Sequence, residues 1–159
     1  MRRLLFIPAL IALVAPTLAG ARPVAVGDGA LILKNASGKV VIQAKGGVIG
    51  RFDEGALIVR DPNPDDEVEA VVTGAEQKKA LDDFVTVYTG KNIRFRFIGG
   101  RFKITLRTAG MDLSAIGKGM ITLLGAGTLD DGTYSFNGEK PKPLPLVSGE
   151  FPLSAQTTQ

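Results

Sequence analysis

The chain has 159 residues, with 19 lysines and arginines against 16 aspartates and glutamates, 20 glycines, and neither histidine nor cysteine. The absence of histidine and cysteine excludes Ser-His-Asp and Cys-His triads, the usual zinc sites, haem ligation and thiol redox chemistry. It also excludes disulfides, so a folded domain must be held by its core alone.

The first 21 residues are predicted to be a cleaved signal peptide. Arg2 and Arg3 precede an apolar run over residues 4–18, and small residues follow up to Ala21. This order is typical of an export signal with cleavage after Ala21. A membrane anchor is the alternative, but the run is shorter than the roughly 20 residues of a span and contains two prolines. We therefore expect a secreted or cell-envelope protein with no membrane span after cleavage. The lack of cysteine favours a bacterial source.

Charge is unevenly distributed along the mature chain. Removing Arg2 and Arg3 leaves 17 basic and 16 acidic residues, so the remaining chain is near neutral. Residues 53–83 nevertheless hold ten acids and three bases, whereas residues 91–118 hold seven bases and one acid. The sequence thus contains an acidic stretch followed by a basic stretch.

From residue 27 onwards, short apolar or alternating runs are separated by glycine-rich turns, which is typical of an antiparallel meander. Strands are predicted over residues 30–34, 39–45, 48–52, 56–60, 67–73, 84–89, 111–116, 119–124 and 133–136. Residues 61–66 (DPNPDD) are predicted to be a loop, and residues 75–83 a short helix or, equally, a polar loop. Residues 139–159 carry four prolines without periodicity, which predicts a disordered tail.

These elements predict one all-β domain over residues 22–138. The expected architecture is an antiparallel meander forming a two-sheet sandwich or a flattened barrel, with at most one short helix. Residues 44–49 also resemble residues 115–121, which predicts two similar strand-turn-strand corners.

Residues 92–107 (NIRFRFIGGRFKITLR) are predicted to form the central β-hairpin. Gly99-Gly100 would supply the two positive-φ residues of a two-residue turn and pair Phe97 with Phe102. Because successive side chains of a strand point to opposite sides, this hairpin would have two distinct faces. The apolar face, expected in the core, comprises Ile93, Phe95, Phe97, Phe102, Ile104 and Leu106. The basic face comprises Arg94, Arg96, Arg101, Lys103 and Arg107.

The basic face of this hairpin is the candidate functional site. Arg96 opposite Lys103 would destabilise a sheet unless an anion or an acidic strand compensates. The face therefore predicts a non-catalytic domain, without metal or cofactor, that binds an anionic polymer or envelope component. Nucleic acid is not the expected partner, because few aromatic residues are available for base stacking. In the alternative, a structural or assembly module, acidic residues 61–69 pair with this face within or between subunits.

Three catalytic or metal-binding arrangements remain as weaker alternatives. A hydrolase needs only two carboxylates at a fixed separation, and Asp53, Glu54, Asp112, Asp130 and Asp131 are the candidates. Ser114 and Lys118 are spaced as a dyad but lack a surrounding motif. Residues 61–67 contain enough oxygen ligands for calcium, although their spacing is not that of an EF-hand.

An export signal, glycine-punctuated strands and the RF–GG–RF core at residues 96–102 together resemble small exported bacterial all-β proteins of unknown function. The resemblance covers roughly residues 27–138. It implies a similar all-β fold and transfers no catalytic residue.

Overall fold

The computed structural model describes residues 27–61, 70–128 and 130–155. Within them the protein is all-β, with no helix and therefore none able to cross a membrane. The antiparallel sheet has seven strands, β1 (Gly29–Arg60), β2 (Val71–Thr73), β3 (Gln77–Asp82), β4 (Val85–Gly125), β5 (Thr133–Phe136), β6 (Lys142–Pro143) and β7 (Gly149–Leu153). The predicted all-β class is confirmed. The predicted signal peptide lies outside the described residues.

β1 and β4 are wound around each other. Straight, the 32 residues of β1 would extend about 105 Å at roughly 3.3 Å per residue. Instead β1 pairs antiparallel with β4 on both of its edges, in two registers. Ile42, for example, lies between Ile104 and Ile121. The two strands therefore form an antiparallel two-stranded ribbon that bends. Successive segments of this ribbon lie side by side and pair with each other.

Following these pairings gives two rows of neighbouring strand segments, which we call the first and second layers. The first layer runs in the order β3, 85–91, 54–60, 101–108, 38–45, 118–125 and β7. The second layer runs in the order β2, 93–98, 47–52, 111–116, 29–34, β5 and β6. The sheet remains open at its edges and is not closed into a barrel.

The core lies between the two layers. Inward positions of both layers belong to one hydrophobic cluster, including Ile42, Leu57 and Leu113, each at most 3% exposed. With no helix in the described residues, one face of a sheet can be buried this completely only by another part of the sheet. The sequence thus folds as a sandwich. All six residues of the predicted apolar face are buried as expected.

The predicted pairing of residues 92–107 as a hairpin is wrong. Phe97 pairs with Val48, and Phe102 pairs with Ala44. Gly99 and Gly100 have φ angles of 87° and 62°, but they turn β4 from the second layer into the first. Positive-φ glycines suit such a corner as well as a hairpin turn, and the inward-outward alternation is the same in both. The Phe97 and Phe102 rings still stack, 6.0 Å apart, across this corner.

The similarity between residues 44–49 and 115–121 marks two corners that lie side by side. Gly46 pairs with Gly117, and their neighbours Lys45 and Lys118 pair with each other. A Cβ atom on Gly46 would lie 2.1 Å from the carbonyl oxygen of Ile116. The backbones approach this closely because neither corner residue carries a side chain.

The helix predicted as one option for residues 75–83 is wrong. Residues 77–82 form β3, which pairs with residues 85–89 at the edge of the first layer. A two-turn helix has little stability of its own, whereas the edge of β4 offers backbone hydrogen bonds. Of the strand predicted over residues 67–73, the structure describes Ala70 to Thr73 and places Val71–Thr73 in β2.

The prediction of a disordered tail is wrong for residues 139–155. β7 pairs with residues 119–123, and Leu144 and Leu153 are buried. Phe151 packs against Phe136, with ring centroids 5.4 Å apart. Proline is compatible with a sheet at an edge strand, so the proline content does not prevent pairing here. Residues 156–159 lie outside the described residues.

Candidate anion-binding site

The five basic residues predicted to share one face lie on two different surfaces. Arg101, Lys103 and Arg107 project from the outer face of the first layer, whereas Arg94 and Arg96 project from the outer face of the second. The corner at residues 99–100 separates the two groups. The single basic face expected from the sequence therefore does not exist.

Arg101 and Lys103 belong to a concave surface of about 710 Å³, which we call the basic groove. The groove is lined by five cationic side chains, Lys45, Arg60, Arg101, Lys103 and Lys118, together with Gln43, Ala44 and Phe102. Ala44 and Phe102 are buried, with side chains directed into the core. The floor of the groove is thus the sheet itself, and cationic side chains surround it.

The strand registers place the cations of the basic groove directly beside one another. Lys45 lies between Arg101 on one neighbouring segment and Lys118 on the other, and Arg60 lies opposite Lys103. Side chains directly opposite each other across an antiparallel pair have Cβ atoms about 4.5–5.5 Å apart. Three like-charge neighbour pairs therefore meet within this groove.

Among the described residues, no acidic side chain lines the basic groove, and residues 62–69, the acidic stretch that the alternative pairs with these cations, lie outside the described residues. The salt bridges formed among the described residues all lie elsewhere, namely Arg51–Asp112, Lys91–Glu54 and Lys142–Glu139. Like charges directly opposite each other across a strand pair repel and destabilise the sheet. A bound anion would relieve this repulsion, and a ligand with several anionic groups would relieve several pairs at once.

Arg107 lies outside the basic groove. It is four residues along the strand from Lys103, and its cross-strand neighbours are Lys39 and Ala56. The Lys39–Arg107 pair repeats the like-charge geometry of the groove on the same layer, without the concave surface.

Arg94 and Arg96 border a second, smaller depression of about 360 Å³, which we call the apolar cup. Its lining consists of Ile49, Gly50, Arg51, Val71, Thr73, Arg94, Phe95, Arg96 and Asp112. The Arg51 guanidinium donates to Asp112 Oδ2 from Nε at 3.1 Å and from Nη2 at 2.7 Å. The backbone N–H of Asn35 donates to Asp112 Oδ1 at 3.0 Å.

Among the carboxylates considered for hydrolysis, Asp112 and Asp131 are held in the ionised form. The pKa of Asp112 is lowered first by the hydrogen bond from the Asn35 backbone and then by Arg51. The pKa of Asp131 is lowered first by the Thr128 hydroxyl and also by the Gly127 and Thr128 backbone N–H groups. A general acid at neutral pH needs the opposite shift.

The structure does not bring the other candidate residues together as a site. Ser114 lies on the outer face of the second layer opposite Ile49, whereas Lys118 lies in the basic groove of the first layer. Of the candidate calcium loop, only Asp61 is described, and no metal-binding cluster occurs in the described parts of the chain.

Sequence reasoning missed three of the five groove cations, Lys45, Arg60 and Lys118. Lys45 and Arg60 lie on β1, and Lys118 lies further along β4, on a segment that does not pair directly with residues 101–103. The similarity between residues 44–49 and 115–121 was the available signal, because it marks the corners beside Lys45 and Lys118. Nothing local to Arg60 distinguishes it.

Comparison with known protein-family models, with curated proteins and with solved structures finds no significant match to this chain.

Proposed function

We propose that the mature chain is an exported, non-catalytic bacterial β-domain that binds an anionic polymer or another anionic component of the cell envelope in the basic groove. One observation carries the proposal. Five cations converge on a concave surface, and none of the described residues that line it is acidic. The export signal predicted for residues 1–21 supports the compartment, and the scaffold supports a binding role because a sheet holds its side chains at fixed spacings.

Two features suit the groove to a ligand with several anionic groups rather than to one small ion. The cations lie on four strand segments, with Lys45 central to Arg101 and Lys118. The groove volume of about 710 Å³ is within the usual range of ligand sites, roughly 300–1,000 Å³. The partner is thus recognised by its charge spacing.

A binding assay with two matched double variants tests the proposal. The probe is a fluorescently labelled long-chain polyphosphate, titrated into the mature protein at several salt concentrations. We expect the groove variant Lys45→Gln with Lys103→Gln to weaken binding at least tenfold and to flatten its salt dependence. The control variant Lys39→Gln with Arg107→Gln removes the same charge from the same layer, and we expect at most a threefold loss.

Equal losses in the two double variants would contradict the proposal, because they would show that net charge and not the groove determines binding. Failure of the unsubstituted protein to bind polyphosphate or polyglutamate at low salt would also contradict it. Both variants replace exposed or half-buried side chains, so equal urea midpoints are expected and exclude unfolding as the cause.

The second candidate function is that of an assembly module, and the edge strand β3 favours it. All six β3 residues are exposed, and among the described residues β3 pairs on one side only, with β4. An exposed strand edge presents unpaired backbone groups that can pair with another chain. Sedimentation at low and high salt tests this function, because a monomer at millimolar concentration under both conditions contradicts it.

A further inference from the structure

The apolar cup is built from two rows of outward side chains that cross neighbouring strands of the second layer. In one row, Arg96 lies between Val71 on β2 and Ile49 on β1. Strands are about 4.8 Å apart, so these two aliphatic side chains stand roughly 10 Å from each other, on either side of the Arg96 stem. This row supplies apolar walls.

The second row lies two residues along each strand and carries charge. Thr73 neighbours Arg94, Arg94 neighbours Arg51, and Arg51 neighbours Asp112. Asp112 compensates Arg51 through the two hydrogen bonds described above. Arg94 and Arg96 form no ion pair with any described residue.

The apolar walls of the cup are unusually exposed for aliphatic side chains. Ile49 is 58% and Val71 37% exposed, so each offers apolar surface that a ligand would remove from water. Burying apolar surface contributes about 25 cal/mol per Å². At about 360 Å³, the cup is at the lower end of the range of small-molecule sites.

We propose that the apolar cup binds a small amphiphilic anion, a single short acyl chain with a carboxylate head. The chain would lie over the aliphatic stem of Arg96, flanked by Ile49 and Val71. The head would be held by the guanidinium groups of Arg94 and Arg96, which match carboxylate geometry with two parallel hydrogen bonds. Charge complementarity commits the site to an anion, because the described lining carries three arginines against one aspartate. The proposal is independent of the basic groove, which lies on the other layer.

Titration of the mature protein with octanoate, followed by backbone amide chemical shifts, tests the proposal. We expect saturable shifts in β2 and in residues 49–51 and 94–96. Octan-1-ol keeps the alkyl chain without the carboxylate, and acetate keeps the carboxylate without the chain. Both are expected to bind at least tenfold more weakly than octanoate. Binding of octan-1-ol as tight as that of octanoate would overturn the role of the arginines, and equal binding of acetate would overturn the role of the walls.

Three variants assign the site. Arg94→Gln with Arg96→Gln is expected to weaken octanoate binding at least tenfold, and Ile49→Ser at least threefold. Met120→Ser removes an apolar side chain of similar exposure, 46%, from the first layer and is expected to leave binding unchanged. Equal effects of Ile49→Ser and Met120→Ser would refute the site. All replaced side chains are exposed, and unchanged urea midpoints verify folding.

A vesicle-binding assay distinguishes binding of a free amphiphile from binding to a membrane surface. Vesicles of phosphatidylglycerol are sedimented with the protein in parallel with the octanoate titration. Retention on vesicles that needs Arg94, Arg96 and Ile49, with no saturable octanoate binding below about 10 mM, would overturn the proposal in favour of a bilayer surface. Octanoate binding that survives the groove variant Lys45→Gln with Lys103→Gln supports an independent site even if polyphosphate binding fails.

Discussion

Gly46 and Gly47 are adjacent and chemically identical, yet the structure gives them opposite tolerance to a side chain. A Cβ atom on Gly46 would lie 2.1 Å from the carbonyl oxygen of Ile116 and 2.7 Å from the Cα atom of Gly117. On Gly47 the nearest atom would be the carbonyl oxygen of Phe97 at 3.5 Å, an ordinary contact. Gly46 also has a φ of 156°, and Gly47 does not have a positive φ.

The cost of Gly46→Ala follows from these distances. Real Cβ atoms keep at least 3.0 Å from such neighbours, so the Ile116–Gly117 backbone must move by about 0.9 Å. This backbone belongs to a corner paired on both edges, since Gly117 neighbours both Gly29 and Gly46. Overpacking costs about 1–3 kcal/mol and an unfavourable backbone conformation a similar amount. We expect Gly46→Ala to lower the free energy of unfolding by about 2–6 kcal/mol.

Gly47→Ala is the matched control. It adds the same methyl group without a clash and reduces the conformational freedom of the unfolded chain. We therefore expect the free energy of unfolding to be unchanged or raised by up to about 1 kcal/mol. Urea unfolding followed by circular dichroism measures both variants. With a slope of about 2 kcal/mol per M, a loss of 3 kcal/mol lowers the midpoint by roughly 1.5 M. Equal midpoints for the two variants would refute the wound-ribbon corner.

Three further substitutions test other parts of the fold. Asp112→Asn should cost about 1 kcal/mol at pH 7, because it weakens charge-assisted hydrogen bonds to a partly exposed carboxylate. The lowered pKa of Asp112 means that its contribution is complete above the unfolded value of about 3.9 and is lost as pH falls through the lower folded value. The difference in unfolding free energy between Asp112→Asn and the unsubstituted protein should thus shrink below about pH 4, and a constant difference down to pH 2 would contradict this. Thr108 Oγ1 is buried without a hydrogen-bond partner in the described residues, so Thr108→Val should leave the thermal midpoint unchanged or raise it; a marked fall would show that the hydroxyl is bonded. Leu153 is 1% exposed, so Leu153→Ala should lower the free energy of unfolding by about 2–4 kcal/mol, measured by urea unfolding. If this segment were a disordered tail, the substitution would cause no change.

The sequence predicted which side chains face inward more reliably than it predicted their neighbours. Ile93, Phe95 and Phe97 are buried and Arg94 and Arg96 exposed, as alternation required. Alternation depends only on adjacent residues in one extended segment, so it can be worked out locally. The positions of the turns between strand segments could also be predicted from local sequence, because glycine permits φ angles that other residues rarely adopt.

Chain ends and edges were less predictable. Residues 77–82 lack an apolar periodicity, and residues 139–155 are rich in proline, so neither stretch indicates a strand by itself. Both became ordered strands because β4 presented backbone hydrogen-bonding groups beside them. Pairing of this kind is decided by the partner, which for β3 is the next segment, residues 85–89, and for β7 is the more distant segment of residues 119–123.

The sequence by itself determined an all-β chain, the inward and outward sides of the strands it predicted, and most places where the chain turns. Only the tertiary structure decided which strands meet. A local hairpin at Gly99-Gly100 and a corner between two layers satisfy the same alternation, so residues 92–107 cannot distinguish them. The wound ribbon gives both edges of β1 a partner and buries both layers against each other. That non-local choice separates Arg94 and Arg96 from Arg101 and Lys103, and it brings Lys45, Arg60 and Lys118 to the basic groove.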